Sequence, residues 1–161
     1  MNFEDLRLRF EPLIRRVFHF YSRFARGMTL GVRAVVFDGG NRVFLVKHSY
    51  VSGWHLPGGG VETGETFMDS LKRELIEEGQ IEMTGEPHLH GLFFNRRISP
   101  RDHVAVYVVR EYLQDRMPER NHEIIACGFF SLADLPPDTT RGTRARIAEV
   151  LENRPPSEDW S

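Results

Sequence analysis

Cysteine is almost absent from this chain: Cys127 stands alone, which excludes an intrachain disulfide and fits a reducing compartment. It sits in the apolar run IIACGFF and reads as a buried, inert thiol. No stretch approaches the roughly 18 consecutive apolar residues of a membrane span, and the N-terminus lacks the apolar run and small-residue cleavage site of a secretory signal. The expectation is a cytoplasmic protein with no stable membrane insertion. Net charge is also scarce: 21 basic against 23 acidic residues leave −2, which supplies no global attraction to nucleic acid. Lysine is rarer still, with 2 Lys against 19 Arg. That skew either provides guanidinium forks for phosphates or reflects genomic base composition. Repeats, low-complexity runs and linkers are missing, so 161 residues, 40% hydrophobic and 27% charged, fit one domain around one core.

The first segment, residues 1–27, carries apolar residues at Phe3, Leu6, Phe10, Leu13, Val17, Phe20 or Tyr21, and Phe24, in three- and four-residue steps that predict an amphipathic helix. Its other face holds Arg7, Arg9, Arg15, Arg16, Arg23 and Arg26 against Glu4, Asp5 and Glu11. Packing on the domain or on a second copy of the chain, an anionic membrane surface and a targeting role are the competing uses.

Residues 28–154 alternate strand and helix patterns. Two β-branched runs around Asp38-Gly39-Gly40-Asn41 predict a hairpin. The glycine-rich Leu56-Pro57-Gly58-Gly59-Gly60 precedes a helix starting near Thr66, with Asp69 as capping-box partner. Two further strands flank the basic loop Arg96–Asp102, a third covers EIIACGFF, Ser131–Leu135 reads as a short helical turn, and Thr143–Asn153 as a short amphipathic helix. The tail, 155–161, is polar except for Trp160 and is expected to be flexible. This mixed order predicts an α/β sandwich around a mixed β-sheet.

The helix after the glycines ends in a cluster of acids. Glu74, Glu77 and Glu78 are spaced i,i+3 and i,i+4, so at about 100° per residue they share one face. Like charges so placed repel by roughly 0.2–0.5 kcal/mol per i,i+4 pair, and a helix C-terminus disfavours negative charge by about 0.3–1 kcal/mol. A solvated acidic face is one reading. The other is a divalent cation, which would remove both penalties and, beside a phosphate, would neutralise charge and acidify water. Arg73, adjoining Glu74, is placed to orient a carboxylate.

These residues resemble the Nudix hydrolases, whose pattern is G-x5-E-x7-R-E-U-x-E-E-x-G-U, with U a bulky aliphatic residue. Gly59, Glu65, Arg73, Glu74, Leu75, Glu77, Glu78 and Ile81 occupy its positions. Gln80 replaces the second glycine, and Gly79 stands one place earlier, which puts the helix terminus in question. The resemblance implies a Nudix-like α/β/α sandwich and a Mg²⁺- or Mn²⁺-dependent hydrolase. It makes Glu74 and Glu78 metal ligands, Glu77 a direct or water-mediated ligand, Gly59 a carbonyl ligand, Arg73 the orienting partner and Glu65 a supporting carboxylate. Glu78 and Glu123 are rival general bases.

Substrate contacts are less defined. Trp54 is either a base-stacking platform or a core residue, and Arg96, Arg97 and Arg101 either hold phosphates or belong to a solvated loop. His48, His55, His90 and His103 show no metal-binding spacing and carry no assigned role. Neither the proline expected of ADP-ribose enzymes nor the tyrosine of dinucleoside polyphosphate enzymes is evident downstream. The expected activity is hydrolysis, by metal-activated water, of a nucleoside diphosphate linked to another moiety. An RNA 5′-end pyrophosphohydrolase and a non-catalytic nucleotide-binding or regulatory module are the alternatives.

Overall fold

A computed structural model describes residues 27–161 of the chain. The expected helix over Phe3–Phe24, with the dimer, membrane and targeting uses attached to it, lies outside the described residues. The element order is β1 (Thr29–Val36), β2 (Val43–His48), α1 (Phe67–Gly79), β3 (Glu82–Met83), β4 (His88–Phe94), β5 (Asp102–Val109), β6 (Tyr112–Leu113), β7 (Ile124–Phe130) and α2 (Arg141–Leu151). Among the described residues no helix is long and apolar enough to cross a membrane.

Alternation along β1 and β2 builds two cores. Val32, Ala34 and Val36 join Phe44 and Val46 on the face covered by Leu71 and Leu75 of α1. Val35 and Phe37 join Val43 and Leu45 on the opposite face, with Ile147 of α2. Strands apolar on both sides must be covered on both sides, and the two helices supply the two layers of an α/β/α sandwich. The strands form three small groups instead of one continuous sheet. β1 runs parallel to β5, which pairs antiparallel with β4, while β2 pairs with β7 and β3 with β6.

The expected β1–β2 hairpin is corrected. The turn forms, with the Asn41 N–H donating to Asp38 O at 3.0 Å and Asn41 at φ 57°, but only the Phe37–Val43 bridge joins its arms. The glycine-rich segment takes the edge that a hairpin partner would have used. Val32 N–H donates to Gly59 O and Ala34 N–H to Pro57 O, both at 2.9 Å, while His55 and Val46 exchange backbone bonds at 2.9 Å. Gly58 follows from this insertion: at φ +134° its missing Cβ would overlap the Val32 carbonyl.

Three smaller expectations also change. Ser131–Leu135 is a turn, closed by the Asp134 N–H on Ser131 O at 3.0 Å. α2 starts at Arg141, two residues earlier than predicted, because Thr140 caps it. The tail is held along β4, not loose: Phe94 N–H donates to Glu158 O at 2.8 Å and Trp160 N–H to Phe94 O at 3.0 Å. Cys127 is half-buried in β7, and burial pushes its thiol pKa up, in keeping with an unreactive thiol.

Candidate functional site

The site is built on α1, and both ends of that helix are set by local chemistry. At its start Thr66 and Asp69 form a reciprocal capping box: Asp69 N–H donates to Thr66 Oγ1 at 3.1 Å, and Thr66 N–H to Asp69 Oδ2 at 3.0 Å. At its end Gly79 is the last helical residue and Gln80 itself takes the left-handed position, at φ 52° and ψ 36°, so the cap does not move one residue earlier to Gly79. Gly79 serves packing instead, since a Cβ there would lie 2.8 Å from Ile81 Cδ1 and 3.1 Å from Phe44. Its carbonyl accepts from Gln114 Nε2 at 2.6 Å, and Arg116 Nε donates to Gln80 Oε1 at 2.9 Å.

Arg73 gathers the acids on the outer side of this helix. Its Nε and Nη2 donate to the two oxygens of Glu65 at 2.8 and 3.0 Å, its Nη1 to Glu74 Oε1 at 2.7 Å, and Nη2 also to Gly60 O at 3.1 Å. Glu65 thus supports Arg73, and these guanidinium bonds pull its pKa down. Glu77 is exposed and reaches Arg73 only at 3.4 Å. Gly59 lies against Glu74, because a Cβ at Gly59 would overlap that carboxylate, and its carbonyl accepts from Val32.

Glu78 faces inward. Only 4% exposed, it accepts the Gly58 N–H at 2.7 Å, and no arginine or lysine among the described residues pairs with it. Desolvation is the largest influence on its pKa and pushes it up to about 7; Arg33 and the Gly58 N–H oppose that, while Glu74 and Glu123 add to it. Burial likewise raises the pKa of Glu74, against the lowering effect of Arg73. Two neighbouring carboxylates, one buried without a cationic partner, fit a hard divalent cation, which would supply the missing positive charge.

Glu74, Glu78 and Glu123 all line one open cavity of about 820 Å³, together with Gly58–Gly60, Arg33, His48, Tyr50 and Arg97. Asn95, Ile98, Arg141, Gly142 and Trp160 also line it. The rival bases Glu78 and Glu123 are therefore brought together, and Tyr50 Oη donates to Glu123 Oε1 at 3.1 Å. Arg97 reaches the cavity, whereas Arg96 is paired with Asp159 at 2.9 Å and Arg101 is exposed outside it. Trp54 does not line the cavity. It packs edge-on against Phe130 with centroids 4.8 Å apart, which is the core alternative of its sequence reading.

Three lining residues went unassigned in the sequence. Arg33, a lone charge inside the apolar β1, donates from Nη1 to Leu56 O at 3.1 Å and to Gly58 O, holding the glycine turn from the cavity side. His48 continues the Phe44–Val46 alternation of β2, the one signal that placed it on the α1 side of the strand. It is 3% exposed, and burial lowers its pKa to about 4, with Arg33 and His55 adding to that. Tyr50 carries no pattern that marks it; its hydroxyl pKa is pushed up to about 12 by burial and Glu123.

A family model described as "NUDIX domain" matches residues 27–151. A MutT NUDIX hydrolase from Burkholderia pseudomallei superposes with a TM-score of 0.65 at 26% identity, covering 76% of this chain and 97% of that one. An ADP-ribose pyrophosphatase from Streptococcus suis superposes at 0.60 with 27% identity, covering 83% and 96%. A UDP-X diphosphatase superposes at 0.61 with 21% identity over 93% and 80%, a likeness of fold. No curated protein matches the chain.

Proposed function

Because this chain belongs to the Nudix family, we propose that it is a divalent-cation-dependent hydrolase cleaving the diphosphate linkage of a nucleoside diphosphate joined to another moiety. The observation that carries this reading is the pairing of Glu74 and Glu78 on one wall of the cavity, with Arg73 fixing the first and the Gly58 N–H the second. Glu74, Glu78 and the Gly59 carbonyl are the groups that would hold Mg²⁺ or Mn²⁺, with Glu77 reaching it through water. When bound, the cation neutralises phosphate charge and lowers the pKa of water. The chain's own residues do the rest. Arg73 keeps the Glu74 carboxylate turned toward the glycine turn. Glu78 and Glu123 are the carboxylates placed to take a proton from water attacking phosphorus, and Arg97 offers a guanidinium to the phosphates. The Streptococcus suis neighbour is an ADP-ribose pyrophosphatase, which puts ADP-ribose first among substrates to try.

The test is a panel of ADP-ribose, nucleotide sugars, dinucleotides and nucleoside triphosphates with Mg²⁺ or Mn²⁺, run on the wild type and on Glu78→Gln. The amide keeps an oxygen for the Gly58 N–H, so the variant is expected to fold normally and to lose hydrolysis by at least about 100-fold. Undiminished turnover would overturn the role given to Glu78. Tight nucleotide binding without turnover of any compound would make the protein a binding module instead.

A further inference from the structure

His48 is an oddity that the proposed reaction does not use. It is 3% exposed, and neither ring nitrogen has a hydrogen-bond partner among the described residues, a rare condition for buried polar atoms. Its Nε2 stands 3.4 Å from Glu78 Oε1 without the alignment of a hydrogen bond. The ring packs, tilted, against those of Tyr50 and His55, at centroid distances of 5.1 and 5.9 Å. One ligand atom from each of His48, Glu78 and Glu123 lies within 4.8 Å of the others, and all three residues line the cavity.

We propose that His48 is a nitrogen ligand which, with Glu78 and Glu123, makes a mixed nitrogen–oxygen cation site that prefers Mn²⁺, Co²⁺ or Zn²⁺ to Mg²⁺. Ligands at about 2.0–2.2 Å from one ion stand roughly 3–4 Å apart, so closing the cluster needs its atoms to approach by at most about 1–2 Å. Glu123 is exposed, and its carboxylate would make that shift while bonded to the Tyr50 hydroxyl at 3.1 Å. The imidazole decides the choice of metal. Mg²⁺ takes oxygen ligands and gives up its water reluctantly, whereas imidazole nitrogen suits the later divalent ions. Two carboxylates and a neutral imidazole leave the site a formal charge of −2, which a divalent ion cancels. The inference rests on the hydrolase reading in sharing Glu78, but its test needs no turnover.

Pulsed electron paramagnetic resonance of Mn²⁺ bound to the full chain reads ligand nitrogen directly. The wild type is expected to show ¹⁴N coupling that converts to ¹⁵N coupling when histidine alone is ¹⁵N-labelled. His48→Phe keeps a ring against Tyr50 and removes both nitrogens. It is expected to abolish the coupling and to raise the Mn²⁺ dissociation constant about tenfold or more, with Mg²⁺ binding unchanged. Should that variant not fold, His48→Gln is read in the same way. Wild-type Mn²⁺ without nitrogen coupling, or coupling that survives the loss of His48, would overturn the proposal. If hydrolysis persists without nitrogen coupling, only the histidine ligand fails. If nitrogen-coupled Mn²⁺ sits in a protein that hydrolyses nothing, the hydrolase reading fails instead.

Discussion

Replacing Arg146 by methionine should separate the tail from the domain and cost a large part of its stability. Arg146 is 2% exposed yet charged. Its Nε and Nη2 grip both oxygens of Glu149 at 2.8 and 2.6 Å, Nη2 also meets Ser157 Oγ at 2.7 Å, and Nη1 donates to Asp159 O and Trp160 O at 3.2 and 2.9 Å. The guanidinium lies 4.0 Å from the Phe93 ring centre. Methionine fills much of the volume but leaves Glu149, itself 6% exposed, with only His90 and the Ser157 N–H. Breaking one side of a buried ion pair costs about 3–5 kcal/mol, against roughly 5–15 kcal/mol for a whole domain. Urea unfolding followed by circular dichroism measures that loss. In a Trp54→Phe background, Trp160 is the remaining tryptophan, and its emission should shift to the red as the tail leaves β4. Adding Glu149→Leu removes the stranded charge and should recover most of the lost stability. A loss below about 1 kcal/mol, the range of an exposed pair, would refute the reasoning. So would a double variant weaker than the single one.

The same pair predicts an acid limb. Burial alone would raise the Glu149 pKa, but bonds from Arg146 and His90 overcome it and hold the carboxyl down at about 2. Its contribution is therefore complete above the ordinary value near 4.5 and is lost as pH falls from there toward 2, on the order of 3 kcal/mol in all. Unfolding free energy measured between pH 5 and 2 should fall more steeply in the wild type than in the Arg146→Met/Glu149→Leu variant. Gln80→Gly should stabilise the domain by about 1 kcal/mol, since a left-handed non-glycine residue costs roughly 1–2 kcal/mol and glycine returns part of that as unfolded-state entropy; a fall in the urea midpoint would contradict it. Thr66→Ala should cost about 1 kcal/mol through the lost cap, and an unchanged midpoint would show the capping box to be idle.

Sequence reasoning reached furthest where partners lie within one helical turn. Thr66 with Asp69 is fixed by a rise of 1.5 Å per residue, so spacing alone specifies the cap, and it sets Glu74, Glu77 and Glu78 close along α1 without saying which of them is buried. The alternation of β1 and β2 likewise announced buried strands. It failed to say what would lie beside them. Two strands that adjoin in the chain predict a hairpin, but the glycine-rich segment fits between them because Gly58 carries no Cβ. The tail reads as loose because its polarity is visible, while its partners Phe94 and Arg146 stand 64 and 13 residues before Glu158 and Asp159, separations that no periodic spacing expresses.

The capping box and the run from Arg73 to Glu78 are thus set by the sequence itself, because helix geometry ties each to the next, whereas Gly59 and Glu65 precede the helix and meet it only through the fold. Which of those acids face inward, and what meets them there, was decided only by the tertiary structure. Glu78 turns to Gly58 and His48, while Glu77 stays in solvent. Arg33, His48 and Glu123 arrive from β1, from the end of β2 and from the residue before β7. The charge balance of a buried carboxylate depends on such neighbours, and their distances are set by strand pairing and packing across the whole fold.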